Sequence, residues 1–411
     1  MLWQPSLPER YLNATEAELG AAIEARRREL GSKLLILGHH YQQDDVIRHA
    51  DLIGDSLKLS QLAAAEAPKR GARFIVFCGV HFMAETADML TPDDVAVILP
   101  DLSAGCSMAD MAGYEEAVTA WDALTAALKK ARQKVRIVPV TYINSSAAIK
   151  AFVGQRGGAV CTSSNAVAIL KWALAGGDQP PASGEQIKVL FLPDQHLGRN
   201  SAAAMGIDTV TGTALYDPRR AAKGEPLGGM SPEQLKAASV LLWAGHCSVH
   251  KLFRAEHVHM LRAGERDRPP HERTTVLVHP ECSKEVVDLA DLSGSTEYII
   301  STIRKAPAGA KFAVGTETNL VQRCAADARS RGVSVRILSD CQCLCTTMYR
   351  IDQAHMLWVL DNLAAGKVVN RITVHPEART QSLLALERML KLSGTTPAAI
   401  KAGAAGATVP D

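Results

Sequence analysis

The sequence lacks the features that mark several large classes of protein. Its 411 residues contain no apolar run near the ~18 residues that a membrane-spanning helix needs, and Met1 to Pro5 does not resemble the start of a signal peptide. Lys and Arg are scattered among Asp and Glu at a formal net charge of +2, without the basic stripe that binds nucleic acid. We therefore expect a cytoplasmic protein that binds neither membranes nor nucleic acid.

Cysteine is too scarce for a disulfide scaffold, with nine residues at irregular spacings. In a reducing compartment these residues are thiols or metal ligands. No Cys-x-x-Cys pair of the zinc-ribbon type occurs, and the nearest pattern is the run of Cys341, Cys343 and Cys345. Any metal site must therefore draw its ligands from distant parts of the chain.

The sequence does contain a repeat. Seven positions between residues 37 and 56 are identical to those 240 positions later, among them His39 and its counterpart His279. Each copy reaches a cysteine after a similar distance, 67 residues from His39 to Cys106 and 66 residues from His279 to Cys345. A fixed period of this kind predicts repeated structural units.

A degenerate third copy lies between these two. Val138 to Asn144 matches the first strand of the unit in pattern, and the copy ends at Cys247. This copy is longer than the others. We expect an insertion near residues 205–232, which is rich in Gly, Pro and charge, to form a surface excursion.

Short apolar runs alternate with helical patterns in each unit. Leu34 to Leu37 is predicted to be a strand buried on both faces, and Leu57 to Ala67 a helix that Pro68 stops. This alternation predicts an α/β fold of three similar three-layer α/β/α domains, with parallel sheets arranged about a pseudo-threefold axis. The predicted segments are a helical lead-in at 1–30 with Thr15 as an N-cap, repeats at 31–106, 107–247 and 248–345, and C-terminal helices and a tail at 346–411.

In sheets of this type, ligands bind outside the carboxyl ends of the strands. Alternate residues of an extended segment share a face, so each unit presents a pair of polar side chains at that edge. The pairs are His39 with Tyr41, Tyr142 with Asn144, and His279 with Glu281. Turns with Ser and Thr follow in each unit and offer hydroxyl and N–H groups to phosphate or carboxylate. Three such units would line one central pocket.

One cysteine from each unit could join a shared metal site made of Cys106, Cys247 and Cys345. Three thiolates leave one iron of a four-iron cluster open, as a Lewis acid for a substrate hydroxyl or carboxylate. Zinc bound by three cysteines and His250 is the competing interpretation. The alignment of the repeats favours Cys345 as the third ligand, and Cys343 is the alternative.

The motifs and their order resemble those of the quinolinate synthase family from Leu34 to about Leu392. The motifs that carry the resemblance are Gly38-His39-His40-Tyr41-Gln42, Gly54-Asp55-Ser56, Gly79 to Thr86, Pro100-Asp101 with Gly105-Cys106, Tyr142-Ile143-Asn144, Thr162-Ser163-Ser164-Asn165, Leu192-Pro193-Asp194, Gly245-His246-Cys247 with His250, His279-Pro280-Glu281-Cys282, and Gly315-Thr316-Glu317.

The resemblance implies a condensation of iminosuccinate with dihydroxyacetone phosphate to quinolinate, with loss of phosphate and water, in de novo NAD biosynthesis. It implies a 4Fe-4S cluster on Cys106, Cys247 and Cys345, the last of which matches the family's Cys-x-x-Met pattern. The implied catalytic residues are Tyr41, Glu281, His39 and His250. The implied substrate-binding residues are His39, Ser56, Tyr142, Asn144, Ser163, His279, Glu281 and Thr296. A transient contact with L-aspartate oxidase, which supplies iminosuccinate, is a further expectation.

Two other classes of function stay open at the level of sequence. A cluster-dependent hydratase of another dicarboxylate would keep the open iron but would need no triose phosphate. A structural or iron-sensing protein would saturate its metal site. Assay for quinolinate, with iron and sulfide analysis, separates the three.

Overall fold

The computed structural model describes residues 3–131, 134–340 and 343–393. This part of the chain divides into two compact units. The first comprises the described residues up to 106 together with 344–379, and the second comprises the described residues of 107–343 together with those from 380 on. The first unit contains one sheet and the second contains two, all flanked by helices. The predicted α/β class with three largely parallel sheets is confirmed, whereas the pseudo-threefold arrangement and the segment boundaries stay predictions.

The strands, numbered in chain order, are β1 (Leu34–His39), β2 (Leu52–Gly54), β3 (Phe74–Cys78), β4 (Ala96–Ile98), β5 (Val135–Tyr142), β6 (Ala159–Cys161), β7 (Gln186–Leu192), β8 (Thr213–Tyr216), β9 (Val240–Trp243), β10 (Thr275–Val278), β11 (Leu292–Ser293), β12 (Lys311–Gly315), β13 (Ser334–Ile337) and β14 (Arg371–Ile372).

The α-helices are α1 (Glu9–Leu12), α2 (Glu16–Leu30), α3 (Asp44–Ile47), α4 (Ser56–Arg70), α5 (His81–Leu90), α6 (Ser107–Asp110), α7 (Tyr114–Lys130), α8 (Ala147–Gln155), α9 (Ala166–Leu174), α10 (Gln195–Ala204), α11 (Pro218–Ala221), α12 (Pro232–Ala237), α13 (Ala255–Gly264), α14 (Lys284–Leu289), α15 (Thr296–Lys305), α16 (Thr318–Arg329), α17 (Gln353–Ala364) and α18 (Pro376–Leu392). Short 3-10 turns occur at Gly31–Lys33, His250–Leu252, Pro270–Glu272 and Met348–Arg350.

The sheet of the first unit has the strand order β14-β4-β3-β1-β2. Its strands are parallel except β14, which pairs antiparallel with β4. All six residues of β1 are buried, as expected for a parallel strand covered on both faces. The predicted strand from Leu34 to Leu37 is therefore confirmed, and it extends to His39.

Two helices of the first unit test the predicted helix ends. α2 begins after Thr15 as predicted, with the Thr15 hydroxyl accepting from the Glu18 N–H at 3.3 Å and the Glu18 carboxylate accepting from the Thr15 N–H at 2.8 Å. The prediction that Pro68 stops α4 is wrong. Pro68 removes one helical N–H in the last turn, but α4 continues past it to Arg70 and ends where Gly71 adopts a φ of 66°.

The second unit contains two parallel sheets, with strand orders β6-β5-β7-β9-β8 and β11-β10-β12-β13. The predicted insertion at residues 205–232 contributes β8, which pairs in parallel with β9 at the edge of the first of these sheets. Tyr216 of β8 stacks on Trp243 of β9, with 5.4 Å between ring centroids. Part of the insertion is therefore a strand of the sheet rather than a surface excursion.

The repeat detected at 240 positions corresponds to a repeated structure within each unit. β1 pairs with β2 in the same register as β10 pairs with β11. Asp51 and Asp291 each accept a hydrogen bond from a backbone N–H of the neighbouring strand, at 2.7 Å in both cases. Each aspartate also pairs with an arginine of the preceding long helix, Arg27 in α2 and Arg262 in α13. The same aspartate thus fixes the same strand in both copies.

The N-terminal helices pack on α17 within the first unit. Asp361 of α17 accepts hydrogen bonds from the Tyr11 hydroxyl at 2.8 Å and from Nε of Arg26 at 2.7 Å. Across residues 3–131, 134–340 and 343–393, none of the helices combines the length and the apolar character that crossing a bilayer requires.

Candidate active site

The polar residues after β1 and β10 form the same turn. Nδ1 of His39 accepts a hydrogen bond from the Tyr41 N–H at 3.1 Å, and Nδ1 of His279 accepts one from the Glu281 N–H at 3.4 Å. Both histidines are buried. Because Nδ1 is an acceptor, the neutral ring carries its proton on Nε2 in both copies. The His39 and Tyr41 rings meet edge to face, with centroids 4.8 Å apart.

In the first unit, polar side chains fix the segment that carries Cys345. Gln42 is fully buried and donates from Nε2 to a backbone carbonyl of that segment at 3.1 Å. Arg350 donates from Nη1 to the Ser103 hydroxyl at 3.0 Å, which ties the segment to the loop that leads to Cys106. The loops of two predicted cluster ligands are therefore held together within one unit.

Glu281 is the centre of a buried polar cluster in the second unit. Its carboxylate lies 2.8 Å from Nδ1 of His250 and accepts a hydrogen bond from Tyr142. Nε2 of His250 lies 3.2 Å from the Thr316 hydroxyl, and the His250 ring stacks on His279 with centroids 4.6 Å apart. Glu281 and His250 are only 3% and 1% exposed, so these contacts replace water almost completely.

The pKa values of Glu281 and Asp194 shift in opposite directions. Burial would raise the pKa of Glu281, but attraction to the neighbouring histidines and the hydrogen bond from Tyr142 lower it to about 2. Burial, and then repulsion from Glu281, raise the pKa of Asp194 well above its usual range. Burial lowers the pKa of His279 to about 3, so this ring is neutral near pH 7. Two carboxyl groups whose pKa values shift in opposite directions can serve as base and acid.

Asp194 is absent from the site residues predicted from sequence. It caps α10 by accepting from the Leu197 N–H at 2.7 Å, and its carboxyl group also accepts from the Cys247 N–H. The Gln195 N–H donates to the Gly245 carbonyl at 3.0 Å. Asp194 thus ties the end of β7 to the loop of Cys247. Its position directly after a buried strand is the feature by which sequence analysis could have identified it.

Asn200 is a second residue that sequence reasoning missed. From α10, its amide Nδ2 donates to the Pro280 carbonyl at 2.8 Å and to the Cys282 carbonyl at 2.9 Å. These two carbonyls flank Glu281 on either side, and Asn200 is buried. One side chain therefore fixes the backbone that carries Glu281.

Three side chains of this cluster could hold a metal ion. A sulfur of Cys247, a ring nitrogen of His250 and a carboxylate oxygen of Glu281 all lie within 4.8 Å of one another. Cys247 precedes the 3-10 turn that begins at His250, and the Lys251 N–H donates to the Cys247 carbonyl at 3.1 Å. The two residues are near each other in sequence, and this compact turn brings the thiol and the imidazole close together in space.

The remaining predicted substrate-binding residues lie where strands end or helices begin. Ser56 and Thr296 are the first residues of α4 and α15, and Tyr142 is the last residue of β5. Ser163 is half-buried in the turn after β6. Oδ1 of Asn144 is buried and, within the described part of the chain, has no hydrogen-bond partner. A buried acceptor of this kind is suited to a ligand donor.

Exposure separates the cysteines into two groups. Of the eight that the structure describes, five are buried and three are half-buried, and the half-buried ones are Cys106, Cys247 and Cys345. Burial raises the pKa of Cys78 and of Cys161, which keeps those thiols protonated. Among the described cysteines, the three that sequence analysis selected are therefore the more exposed ones.

The third predicted ligand also differs from its alternative. Cys345 is half-buried and belongs to the first unit, whereas Cys343 is buried and belongs to the second unit. Sγ of Cys343 lies 3.0 Å from the Ser339 hydroxyl. Cys341 lies outside the described residues. These environments favour Cys345 as a ligand.

Comparison with known proteins gives a match along both units. The model of the family described as quinolinate synthetase A protein matches residues 21–391. The chain belongs to the quinolinate synthase family. The quinolinate synthase of a Nocardioides species is 51% identical over 382 residues, covering 93% of this chain and 91% of the relative. Those of Rhodopirellula baltica (48% over 390 residues, 92% of both chains) and Corynebacterium glutamicum (47% over 394 residues, 96% of this chain and 92% of the relative) are similar.

Proposed function

We propose that this chain is a quinolinate synthase, which condenses iminosuccinate with dihydroxyacetone phosphate and releases phosphate and two waters. The observation that carries the proposal is the match to quinolinate synthases along both units, because it includes every residue of the buried Glu281 cluster. The opposite pKa shifts of Glu281 and Asp194 support it, since the condensation requires protons to be removed and returned at several carbons.

The cofactor that we propose is a 4Fe-4S cluster on Cys106, Cys247 and Cys345. Three half-buried thiols among otherwise buried ones are a donor set suited to such a cluster, because iron-sulfur clusters take thiolate ligands. When bound with one iron open, the cluster supplies a Lewis acid for a substrate hydroxyl or carboxylate.

Glu281 is the proposed base of the second unit. Its carboxylate is ionised, and two hydrogen-bonding neighbours, His250 and Tyr142, hold it in place. A carboxylate that takes a proton from substrate carbon can pass it to an adjacent imidazole or return it at a later step. In the first unit, the Tyr41 hydroxyl is the proposed acid/base group, with its ring fixed against His39.

The proposed substrate-binding residues orient the reactants. The hydroxyls of Ser56, Ser163 and Thr296 follow strand ends, two of them at helix N-termini where N–H groups point outward. Such positions bind phosphate and carboxylate oxygens. Asn144, with its buried Oδ1, and His279, neutral with a proton on Nε2, add an acceptor and a donor. Fixing both reactants in this way lowers the entropic part of the barrier.

The direct test is an anaerobic assay. Cluster-reconstituted protein, dihydroxyacetone phosphate and freshly generated iminosuccinate should yield quinolinate. A hydratase would turn over a dicarboxylate without the triose phosphate, and an iron sensor would give no product at all. Failure to form quinolinate with a full complement of iron and sulfide would refute the proposal.

Two expectations from sequence belong to this proposal. We expect the protein in the cytoplasm, where its thiols stay reduced. We also expect transient contact with L-aspartate oxidase, because iminosuccinate hydrolyses readily and direct supply would protect it. Crosslinking of the two purified proteins during turnover, compared with the same mixture without aspartate, tests the second expectation.

A further inference from the structure

We propose that the cluster-free chain carries a mononuclear Zn²⁺ site formed by Cys247, His250 and Glu281. The inference rests on the proposed function in one respect, since Cys247 is also a proposed cluster ligand. Its geometry, however, lies wholly within the second unit. It needs neither Cys106 nor Cys345.

The ligand atoms are close to the separations that tetrahedral zinc requires. Zinc bonds of about 2.0–2.3 Å place ligand atoms roughly 3.3–3.7 Å apart. Nδ1 of His250 and Oε2 of Glu281 are 2.8 Å apart, and all three ligand atoms lie within 4.8 Å of one another. The imidazole and carboxylate must separate by about half an ångström for zinc to enter between them, and the thiol must move inward, both within the range of side-chain rotation.

The charges of these groups also suit a divalent ion. A thiolate and a carboxylate neutralise Zn²⁺, and a neutral imidazole completes the Cys, His and Glu donor set that zinc accepts. The fourth position would hold water, as in zinc sites with three protein ligands.

Neighbouring groups hold the ligands in place. Thr316 lies 3.2 Å from Nε2 of His250, where its hydroxyl can accept the ring proton and leave Nδ1 for the metal. Asn200 fixes the backbone on both sides of Glu281. A site whose ligands are ordered in advance loses less entropy on binding.

The two metal states exclude each other. Zinc at this site occupies a thiol that the cluster needs and the carboxylate that we assign as base. Zinc should therefore block cluster assembly, and a zinc-loaded chain should be inactive until the ion is removed.

The test uses the full chain, prepared anaerobically without a cluster, and Zn²⁺ in competition with a chromophoric chelator. One zinc should bind per chain, and Co²⁺ should give thiolate-to-metal charge-transfer absorption. Variants Cys247→Ser, His250→Asn and Glu281→Gln should each weaken zinc binding by more than the roughly 10- to 100-fold that loss of an outer hydrogen-bond partner causes. The variant Thr316→Val should weaken zinc binding by only this roughly 10- to 100-fold factor.

Cys345→Ser is the discriminating control. It should keep the zinc affinity of the parent chain but fail to assemble a full cluster, as judged by iron and sulfide content. Unchanged zinc binding in His250→Asn and in Glu281→Gln, with both variants folded by circular dichroism, would overturn the inference. Loss of zinc binding in Cys345→Ser would also overturn the inference, because it would indicate that the three cysteines bind the ion. Neither result depends on whether the loaded protein makes quinolinate.

Discussion

Replacing Asn200 by alanine should impair the enzyme by displacing Glu281. The amide donates to the two carbonyls that flank Glu281, at 2.8 and 2.9 Å. Each buried carbonyl left without a donor costs roughly 1–3 kcal/mol, so two lost bonds amount to about 2–6 kcal/mol if no water enters. The loop can avoid part of this cost only by moving, and movement displaces Glu281.

We therefore expect two measurable effects of Asn200→Ala. The free energy of unfolding should fall by about 2 kcal/mol or more, and kcat should fall by roughly 100-fold, the effect of a misplacement near 1 Å. Iron and sulfide content should stay at the parent level, because Asn200 holds the Glu281 loop and contacts none of the proposed cluster ligands. The assay is anaerobic formation of quinolinate with both substrates varied.

Asn362→Ala is the matched control. Asn362 also lies in a helix, where it is half-buried, but its amide donates to the Trp358 carbonyl of its own helix at 2.8 Å. Its loss should change kcat by less than about twofold and stability by no more than ~1 kcal/mol. If Asn200→Ala behaved like this control, the argument that Asn200 positions Glu281 would fail.

Four further outcomes follow from the structure. Cys345→Ser should lose the full cluster, whereas Cys343→Ser should retain it. Iron and sulfide analysis distinguishes the two variants, and equal iron and sulfide content in both would contradict the ligand assignment. Glu281→Gln should keep the iron content but lower turnover on the order of 100-fold, and unchanged turnover would remove Glu281 from the mechanism. Burial, Arg199 and His246 lower the pKa of His196 to about 4. Because the unfolded pKa is near 6.5, the free energy of unfolding should fall by about 2 kcal/mol between pH ~7 and ~5. The variant His196→Gln should flatten this pH dependence in denaturant titrations. Air should inactivate the protein because an open iron is readily lost, and activity that survives prolonged aerobic storage with a chelator would contradict this.

Much of the local structure could be predicted from sequence because parallel strands have a simple signature. The apolar run from Leu34 to Leu37 and its copy 240 positions later both form buried strands, with polar residues at their carboxyl ends. The repeat also predicted similar structural units, and His39 and His279 make matching hydrogen bonds through Nδ1.

The errors have local physical causes. Pro68 was predicted to stop α4, but the helix tolerates the loss of this one N–H and continues to Arg70, and Gly71 ends it in a left-handed conformation. The insertion at 205–232 was predicted to be an excursion, but its Thr213–Tyr216 segment extends a sheet. A short edge strand gains its stability from the sheet beside it, which the sequence of the segment alone does not reveal.

The site could be predicted only where its residues follow strands. Glu281 and Tyr142 do so, and the structure brings them into contact. Asn200 lies inside a helix and its partners are 80 and 82 residues away, so no local pattern indicates its role. The choice between Cys343 and Cys345 likewise depends on burial, which spacing does not determine.

The central claim is that this chain joins a triose phosphate to an iminodicarboxylate to build a pyridine ring. Its most direct test is mass spectrometry of the product formed from uniformly ¹³C-labelled dihydroxyacetone phosphate and unlabelled iminosuccinate by anaerobically reconstituted protein. The account predicts quinolinate that carries every carbon of the labelled triose. Unlabelled quinolinate, or none from protein with full iron and sulfide, would contradict it.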